Sequence, residues 1–356
     1  MIKIIGAAII SFLISFLTTI PTIKLAKNFG LVDDIRKRKH PAHTHQGIVP
    51  RGGGLPIYLS ILITALVFIP LNKILVGILI GGFLIIVMGL LDDYFDLSPY
   101  LRFFVNLLIV AIVILFSLGI PYISNPLGGV IRLDTVVVKF NFFGEHKFLL
   151  LANLFSIFWI TALMNFVNWS KGIDGQLPGF VAIASLFMGI LAYRFVGHDI
   201  STQSVILLSF IVAAAFAGFL PWNFYPQKIM PGYGGGALAG FYLGVLSILS
   251  WGKLGILMLV LSIPLTDAIY VIFRRLFNLK SPFRADAYHF HHRLLKIGWG
   301  RRRIAIFYWL ISFLFGFSSL FFRGEKKVLA LLSVVILLAI FIGITNRVKV
   351  FTKLGD

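Results

Sequence analysis

The sequence predicts an all-α polytopic membrane protein, with about 10–11 transmembrane helices, a short outer β-hairpin and candidate active-site loops on the cytoplasmic side. Three observations carry that prediction. Of 356 residues, 59% are hydrophobic and only 13% are charged, and the mean hydropathy is +0.96. Apolar runs near span length recur throughout the chain, and the polar gaps between them are too short for a sizeable soluble domain. Lys and Arg concentrate in alternate connections, as the positive-inside rule requires.

Candidate spans lie at about 4–24, 54–71, 74–91, 101–119, 149–167, 178–195, 204–220, 236–251, 254–274, 303–322 and 328–345. They form a single integral membrane domain, 1–356, with no internal repeat or linker. The first run has no small-residue cleavage site after it, so it is read as a retained helix rather than a signal peptide. An odd number of spans puts the termini on opposite sides. With the N-terminus outside, most of the 32 Lys and Arg residues face the cytosol, including Arg51, Arg102, Lys171, Lys228 and the run from Arg274 to Arg303. The expected location is therefore the cytoplasmic (inner) membrane, with the chemistry facing inward. One outer connection is different in kind: residues 130–142 are β-branched, partly alternating and flanked by glycines, which predicts the hairpin.

A net charge of +19 would suggest nucleic acid in a soluble protein. Here it reads as topology together with an anionic lipid or substrate, and no nucleic-acid partner is expected. Cysteine is absent, which excludes disulfides, thiolate nucleophiles and cysteine metal ligands.

The third span ends in Asp92 and Asp93, and Asp96 follows one turn later. Only 13 acidic residues exist in the chain, so this grouping at a membrane face stands out. Such carboxylates repel one another unless a cation sits among their oxygens, and hard oxygen ligands suit Mg²⁺ or Mn²⁺. A plain solvated helix end is the blander reading.

The first inner loop carries Arg38, Lys39, His40 and Arg51 before Gly52–Gly54, a composition suited to phosphate or simply to positive-inside topology. His40, His43 and His45 lack a partner cluster for zinc. The next loop has Asn165, Asn168, Lys171 and Asp174, the last between two glycines; it suits a base, a sugar or a metal-bound water, or else a helix cap and turn. Asn223 and Lys228 precede Gly234–Gly236, which open a helix either to expose N–H groups to an anion or to pack closely. In the last inner loop, Arg284, Asp286, His289, His291, His292 and Arg293 can serve proton transfer or phosphate binding. Asp267 lies seven residues before Arg274, roughly 10 Å inside its helix end, where a carboxylate needs a partner.

In order, Arg38-Lys-His, Pro50-Arg-Gly-Gly, Gly89-Leu-Leu-Asp-Asp93, Asn165-x-x-Asn168, Gly172-Ile-Asp-Gly175, Trp222-Asn223-x-x-Pro226 and Ala285-Asp-x-x-His-x-His-His292 resemble the polyprenyl-phosphate N-acetylhexosamine-1-phosphate transferases, glycosyltransferase family 4. The resemblance spans about residues 30–300, and the last motif looks like the N-acetylglucosamine branch rather than the muramoyl-pentapeptide branch. It implies transfer of a sugar 1-phosphate from a UDP-N-acetylhexosamine to a polyprenyl phosphate lipid, with Mg²⁺ (or Mn²⁺) and release of UMP. Asp92, Asp93 and Asp174 match its metal and catalytic positions, and His289, His291 and His292 its catalytic histidines. Arg38, Lys39, His40, Arg51, Asn165, Asn168, Lys171, Asn223, Asp286 and Arg293 are the candidate substrate-binding residues.

Two positions depart from the family pattern. Lys171 stands where Asp-Gly-x-Asp-Gly has its first carboxylate, and Tyr233 stands where Gly-Asp-x-Gly-Ser has its own. Neutral tyrosine is a poor Mg²⁺ ligand. The alternative is therefore a non-catalytic member that binds or scaffolds a lipid phosphate. Two other classes fit less well: a prenyltransferase would want a second Asp-rich cluster, and a transporter would bury polar residues near the midplane. A homodimer is left open, because dimer faces in lipid leave no clear mark in a sequence.

Overall fold

A computed structural model describes residues 1–34, 47–125, 129–141, 145–194, 201–250, 254–282, 288–322 and 325–347. Every predicted span folds as helix. In chain order they are α1 (Ile2–Asn28), α2 (Gly54–Phe68), α3 (Lys73–Phe95), α4 (Pro99–Ile114), α5 (Leu150–Trp169), α6 (Gln176–Tyr193), α7 (Ser201–Asn223), α8 (Gly232–Leu249), the pair α9 (Leu254–Val260) and α10 (Ser262–Phe277), then α12 (Arg301–Ser319) and α13 (Glu325–Arg347). One short helix, α11 (Phe290–Lys296), stands in the last inner loop, where no span was expected.

Among the described residues six helices are long and apolar enough to cross a membrane, or seven if α9 and α10, bent by 86°, form one span. The spans expected at 54–71 and 101–119 are shorter, at 15 and 16 residues. Local chemistry sets these limits. Pro70 follows α2, and Ile69 before it is extended (φ −113°, ψ 129°), as a residue preceding proline prefers. α4 starts at Pro99 behind Ser98, whose hydroxyl accepts the Leu101 N–H at 3.2 Å. α3 begins behind Asn72, which accepts from Leu75 N at 2.8 Å, and ends at Asp96 in the left-handed region (φ 51°), turning the chain just after its paired aspartates.

α8 is the buried centre, packed against α5, α3 and α2. Gly236, Gly240 and Gly244 recur every fourth residue and so share a face. A Cβ on Gly240 would lie 2.3 Å from Leu163 O, so α5 lies directly against this stripe. Close packing therefore accounts for this glycine-rich helix start, the second of the two readings its sequence allowed.

The strands form three antiparallel pairs. β1 (Val32–Asp34) pairs with β2 (Ile48–Pro50) and joins the ends of the first inner loop. At the opposite end, β3 (Tyr122–Ser124) pairs with β4 (Val130–Arg132), and β5 (Val137–Asn141) with β6 (Glu145–Leu149). The single hairpin expected within 130–142 is corrected: its two strands belong to different ribbons. Arg132 forks onto Asp134 through Nε and Nη2 at 3.0 and 2.8 Å, turning the chain between them. β5 then finds a five-pair register with the polar segment 145–149.

Candidate active site

The helix ends that carry the candidate site residues meet at one end of the bundle. Met230 N donates to Pro50 O at 2.8 Å, Gly53 N to Met230 O at 3.0 Å and Gly54 N to Pro231 O at 2.9 Å. These bonds fix the start of α8 against the loop that carries Arg51, whose guanidinium pairs with Asp33 at 2.8 Å. The buried end of α3 fits beneath. Asp93 Oδ1 accepts the Tyr233 N–H at 3.1 Å, a carboxylate on a helix N-terminus. Gly232 holds φ +69°, and a Cβ there would lie 2.1 Å from Asp93 Oδ2, so only glycine lets the two approach.

Cations surround this acidic pair. Arg102, from the first turn of α4, lies 2.5 Å from Asp92 Oδ1 and 3.0 Å from Asp96 Oδ1. Lys171 Nζ donates to Gly232 O at 2.9 Å. Both cations lie over the Tyr233 ring, 5.4 Å from its centroid for Arg102 and 5.7 Å for Lys171. The Tyr233 hydroxyl accepts from Asn106 Nδ2 at 2.9 Å. Burial pulls the Lys171 ammonium down to about 8, against the attraction of Asp93 and Asp92.

The histidines adjoin the same turn. A Cβ on Gly172 would lie 2.1 Å from His291 Nε2, so the imidazole rests on the backbone next to Lys171. His291 stacks parallel to His289, centroids 5.7 Å apart, and touches His292 at 4.4 Å. Burial, then the two neighbouring imidazoles, push His291 well below the usual histidine range, so it is neutral near pH 7. His289 Nδ1 lies 2.9 Å from Asp267 Oδ2, and Asp267 Oδ1 accepts the Phe290 N–H at 2.7 Å. A carboxylate here makes Nδ1 the donor and turns Nε2 outward as the basic atom. Arg293 donates to Tyr288 O and Tyr270 Oη, each at 3.2 Å.

The other expected site residues divide. Asn223 acts as a clamp: Oδ1 accepts from Gly175 N at 3.0 Å, while Nδ2 donates to Gln227 Oε1 and Ile229 O at 3.0 and 2.9 Å. Asp174, in the clamped turn, accepts from Gln227 N at 3.4 Å. Asn165 donates back to Thr161 O of its own helix at 2.8 Å, and Asn168 is packed against Gly236. Arg38, Lys39, His40 and Asp286, with His43, His45 and Arg284, lie outside the described residues.

The expected metal ligands are Asp92, Asp93 and Asp174. Among the described residues no three His, Asp or Glu side chains group closely enough to hold an ion, so Asp92, Asp93 and Asp174 do not form a cluster. The physical reason is on each side of the pair: Arg102 faces Asp92, the Tyr233 N–H faces Asp93, and Asp174 points to the Asn223 clamp through Gln227. The residues present do not fit a three-carboxylate Mg²⁺ site.

Sequence reasoning did not single out Arg102, Asn106 or Tyr270. Arg102 had a signal, being a lone cation in the first turn of an apolar helix six residues after Asp96. Asn106 and Tyr270 had none, because their importance lies in which distant hydroxyl or guanidinium they meet.

Residues 75–251 match the family described as glycosyl transferase family 4. A probable undecaprenyl-phosphate N-acetylglucosaminyl 1-phosphate transferase of Bacillus subtilis is 30% identical, with 99% of this chain and 96% of that protein aligned. An undecaprenyl-phosphate alpha-N-acetylglucosaminyl 1-phosphate transferase of Thermotoga maritima is also 30% identical, over 88% of this chain and 89% of its own length. A phospho-N-acetylmuramoyl-pentapeptide-transferase of Thermodesulfovibrio yellowstonii is 28% identical, over 88% and 91%.

Proposed function

We propose that this chain, which belongs to glycosyl transferase family 4, transfers an N-acetylhexosamine 1-phosphate from a UDP-sugar to a polyprenyl phosphate. A lipid phosphate oxygen bonds to the sugar-side phosphorus, the bond from that phosphorus to the bridging oxygen breaks, and UMP leaves. The observation that carries this reading is the meeting of the paired aspartates, Lys171 and the histidine row on one end of a membrane bundle, in a chain aligned almost end to end with a relative named for this transfer. The non-catalytic alternative finds no support among these relatives, each of which is named as a transferase.

The chemistry asks mainly for charge. A lipid phosphomonoester, with a second pKa of about 6, is largely ionised near neutral pH and needs little help from a base. Two anions must approach one another, so neutralisation and positioning dominate the barrier. Lys171 and Arg51 stand at the acidic pair, and Arg293 stands beside the histidines. His289, with Nδ1–H held by Asp267, presents a basic Nε2 that can accept a proton and, once protonated, donate a hydrogen bond to a phosphate oxygen. We place this end of the bundle at the cytosol and the N-terminus outside, on the asymmetry of Lys and Arg. The product would then be the first lipid-linked intermediate of an envelope glycan.

The test is a transfer assay with purified protein, polyprenyl phosphate and radiolabelled UDP-N-acetylglucosamine, followed by thin-layer chromatography. Label should move into an organic-soluble diphosphate with one UMP released per product. Release of free sugar phosphate without lipid product, or no turnover with any UDP-N-acetylhexosamine, would overturn the reading.

A further inference from the structure

We propose that Lys171 is a built-in replacement for a divalent cation at the Asp92–Asp93 pair, so that transfer by this chain proceeds without Mg²⁺ or Mn²⁺. The inference rests on the transferase reading above but is decided by separate measurements.

Charge balance is the first argument. Asp92 and Asp93 contribute two negative charges in a buried setting; three cations already stand at the pair, Lys171, Arg102 (shared with Asp96) and Arg51 (paired with Asp33). Adding a divalent ion would leave a buried excess of positive charge, which is costly without further carboxylates. Asp96 is turned onto Arg102, and among the described residues no three acidic or imidazole groups cluster closely enough to hold an ion.

Geometry is the second. The ammonium is fixed, with Gly232 O accepting from Nζ at 2.9 Å and the Tyr233 ring 5.7 Å below it. Both contacts come from the start of α8, which also donates the Tyr233 N–H to Asp93. Lysine, aspartate and helix N-terminus thus form one rigid unit. An ammonium has three N–H donors, and among the described residues Gly232 O is the one hydrogen-bond acceptor that Lys171 meets. The remaining donors suit phosphate oxygens, for which lysine serves as a point charge. Tyr233 completes the replacement. Its neutral phenol offers no hard anionic oxygen for a metal, yet its ring face attracts both cations.

Two measurements on purified full-length protein decide the matter. Mn²⁺ binding is followed by electron paramagnetic resonance, and transfer is assayed in EDTA and with added Mg²⁺. Wild type should bind no stoichiometric Mn²⁺ and should keep its EDTA rate within about twofold of the Mg²⁺ rate. Lys171→Asp should lose roughly 100-fold or more of the EDTA rate while gaining stoichiometric Mn²⁺ binding, because the acidic pair then has a third carboxylate. Lys171→Met, uncharged at every pH, should lose the rate without gaining the metal. Thermal unfolding of each variant guards against misfolding. Stoichiometric Mn²⁺ on wild type, or wild-type transfer abolished by EDTA and restored by Mg²⁺, overturns the proposal. If wild type transfers nothing in either buffer, the transferase reading fails, and the Mn²⁺ signal still decides whether Lys171 excludes the ion.

Discussion

Asp267 carries two loads at once: one oxygen lies 2.9 Å from His289 Nδ1 and the other accepts the Phe290 N–H at 2.7 Å. A single carboxylate buried in α10 thereby sets both the tautomer of an imidazole and the first turn of α11. Asp267→Asn keeps the shape but offers one acceptor in place of two, so either the ring or the amide loses its partner. We expect a stability loss of about 1–3 kcal/mol and a fall in kcat that exceeds any rise in KM. Thermal unfolding and steady-state kinetics check this, and an unshifted melting temperature with full kcat would rule it out.

Lys171 gives the site an alkaline limit. Its ammonium, lowered to about 8, is charged below that pH and neutral above it. The groups that face it are Asp92, Asp93, Arg51 and Arg102, with the Tyr233 ring beneath. Transfer should therefore decline as pH rises through about 8 and hold below it on this group's account. Lys171→Arg, charged throughout, should abolish that limb even if its rate is lower. A wild-type profile that stays flat to pH 10 contradicts the role assigned to the charge.

The contact between Gly232 and Asp93 predicts a steep substitution effect. Alanine at 232 would meet a left-handed φ of +69° and an oxygen 2.1 Å from its Cβ. Gly232→Ala should cost about 1–3 kcal/mol and displace the α8 N-terminus from Asp93, with a large loss of turnover. Gly255→Ala, in α9 with nothing within 4 Å of the added carbon, is the matched control and should be neutral or slightly stabilising. Equal behaviour of the two variants would refute the account of Gly232.

Two asparagines that look alike in sequence should separate in experiment. Asn223→Ala removes the acceptor of Gly175 N and two donors, loosening the turn that holds Asp174. We expect a loss of about 1–3 kcal/mol together with reduced transfer. Asn165→Ala removes a bond within its own helix, and its stability change should stay within about 0.5 kcal/mol. Reversal of that order, read from denaturation of both variants, would show that the clamp is misplaced.

The sequence by itself determined where helices run, because an apolar stretch of bilayer length must satisfy its own backbone hydrogen bonds wherever it sits. It also put Asp92, Asp93, Lys171 and the histidine row at loop ends on one common side of the bundle, since alternation of spans follows from counting them. Tertiary structure alone decided the partners. Hydropathy and spacing are local properties, whereas the pairing of Asp267 with His289, of Asp93 with the Tyr233 N–H, and of β5 with a polar β6 depends on which distant segments become neighbours. The surroundings of the expected ion ligands were hidden for the same reason. Three aspartates can be read from a chain, but only the packing of α3, α4 and α8 shows Arg102 and Lys171 at the pair that the third carboxylate does not join.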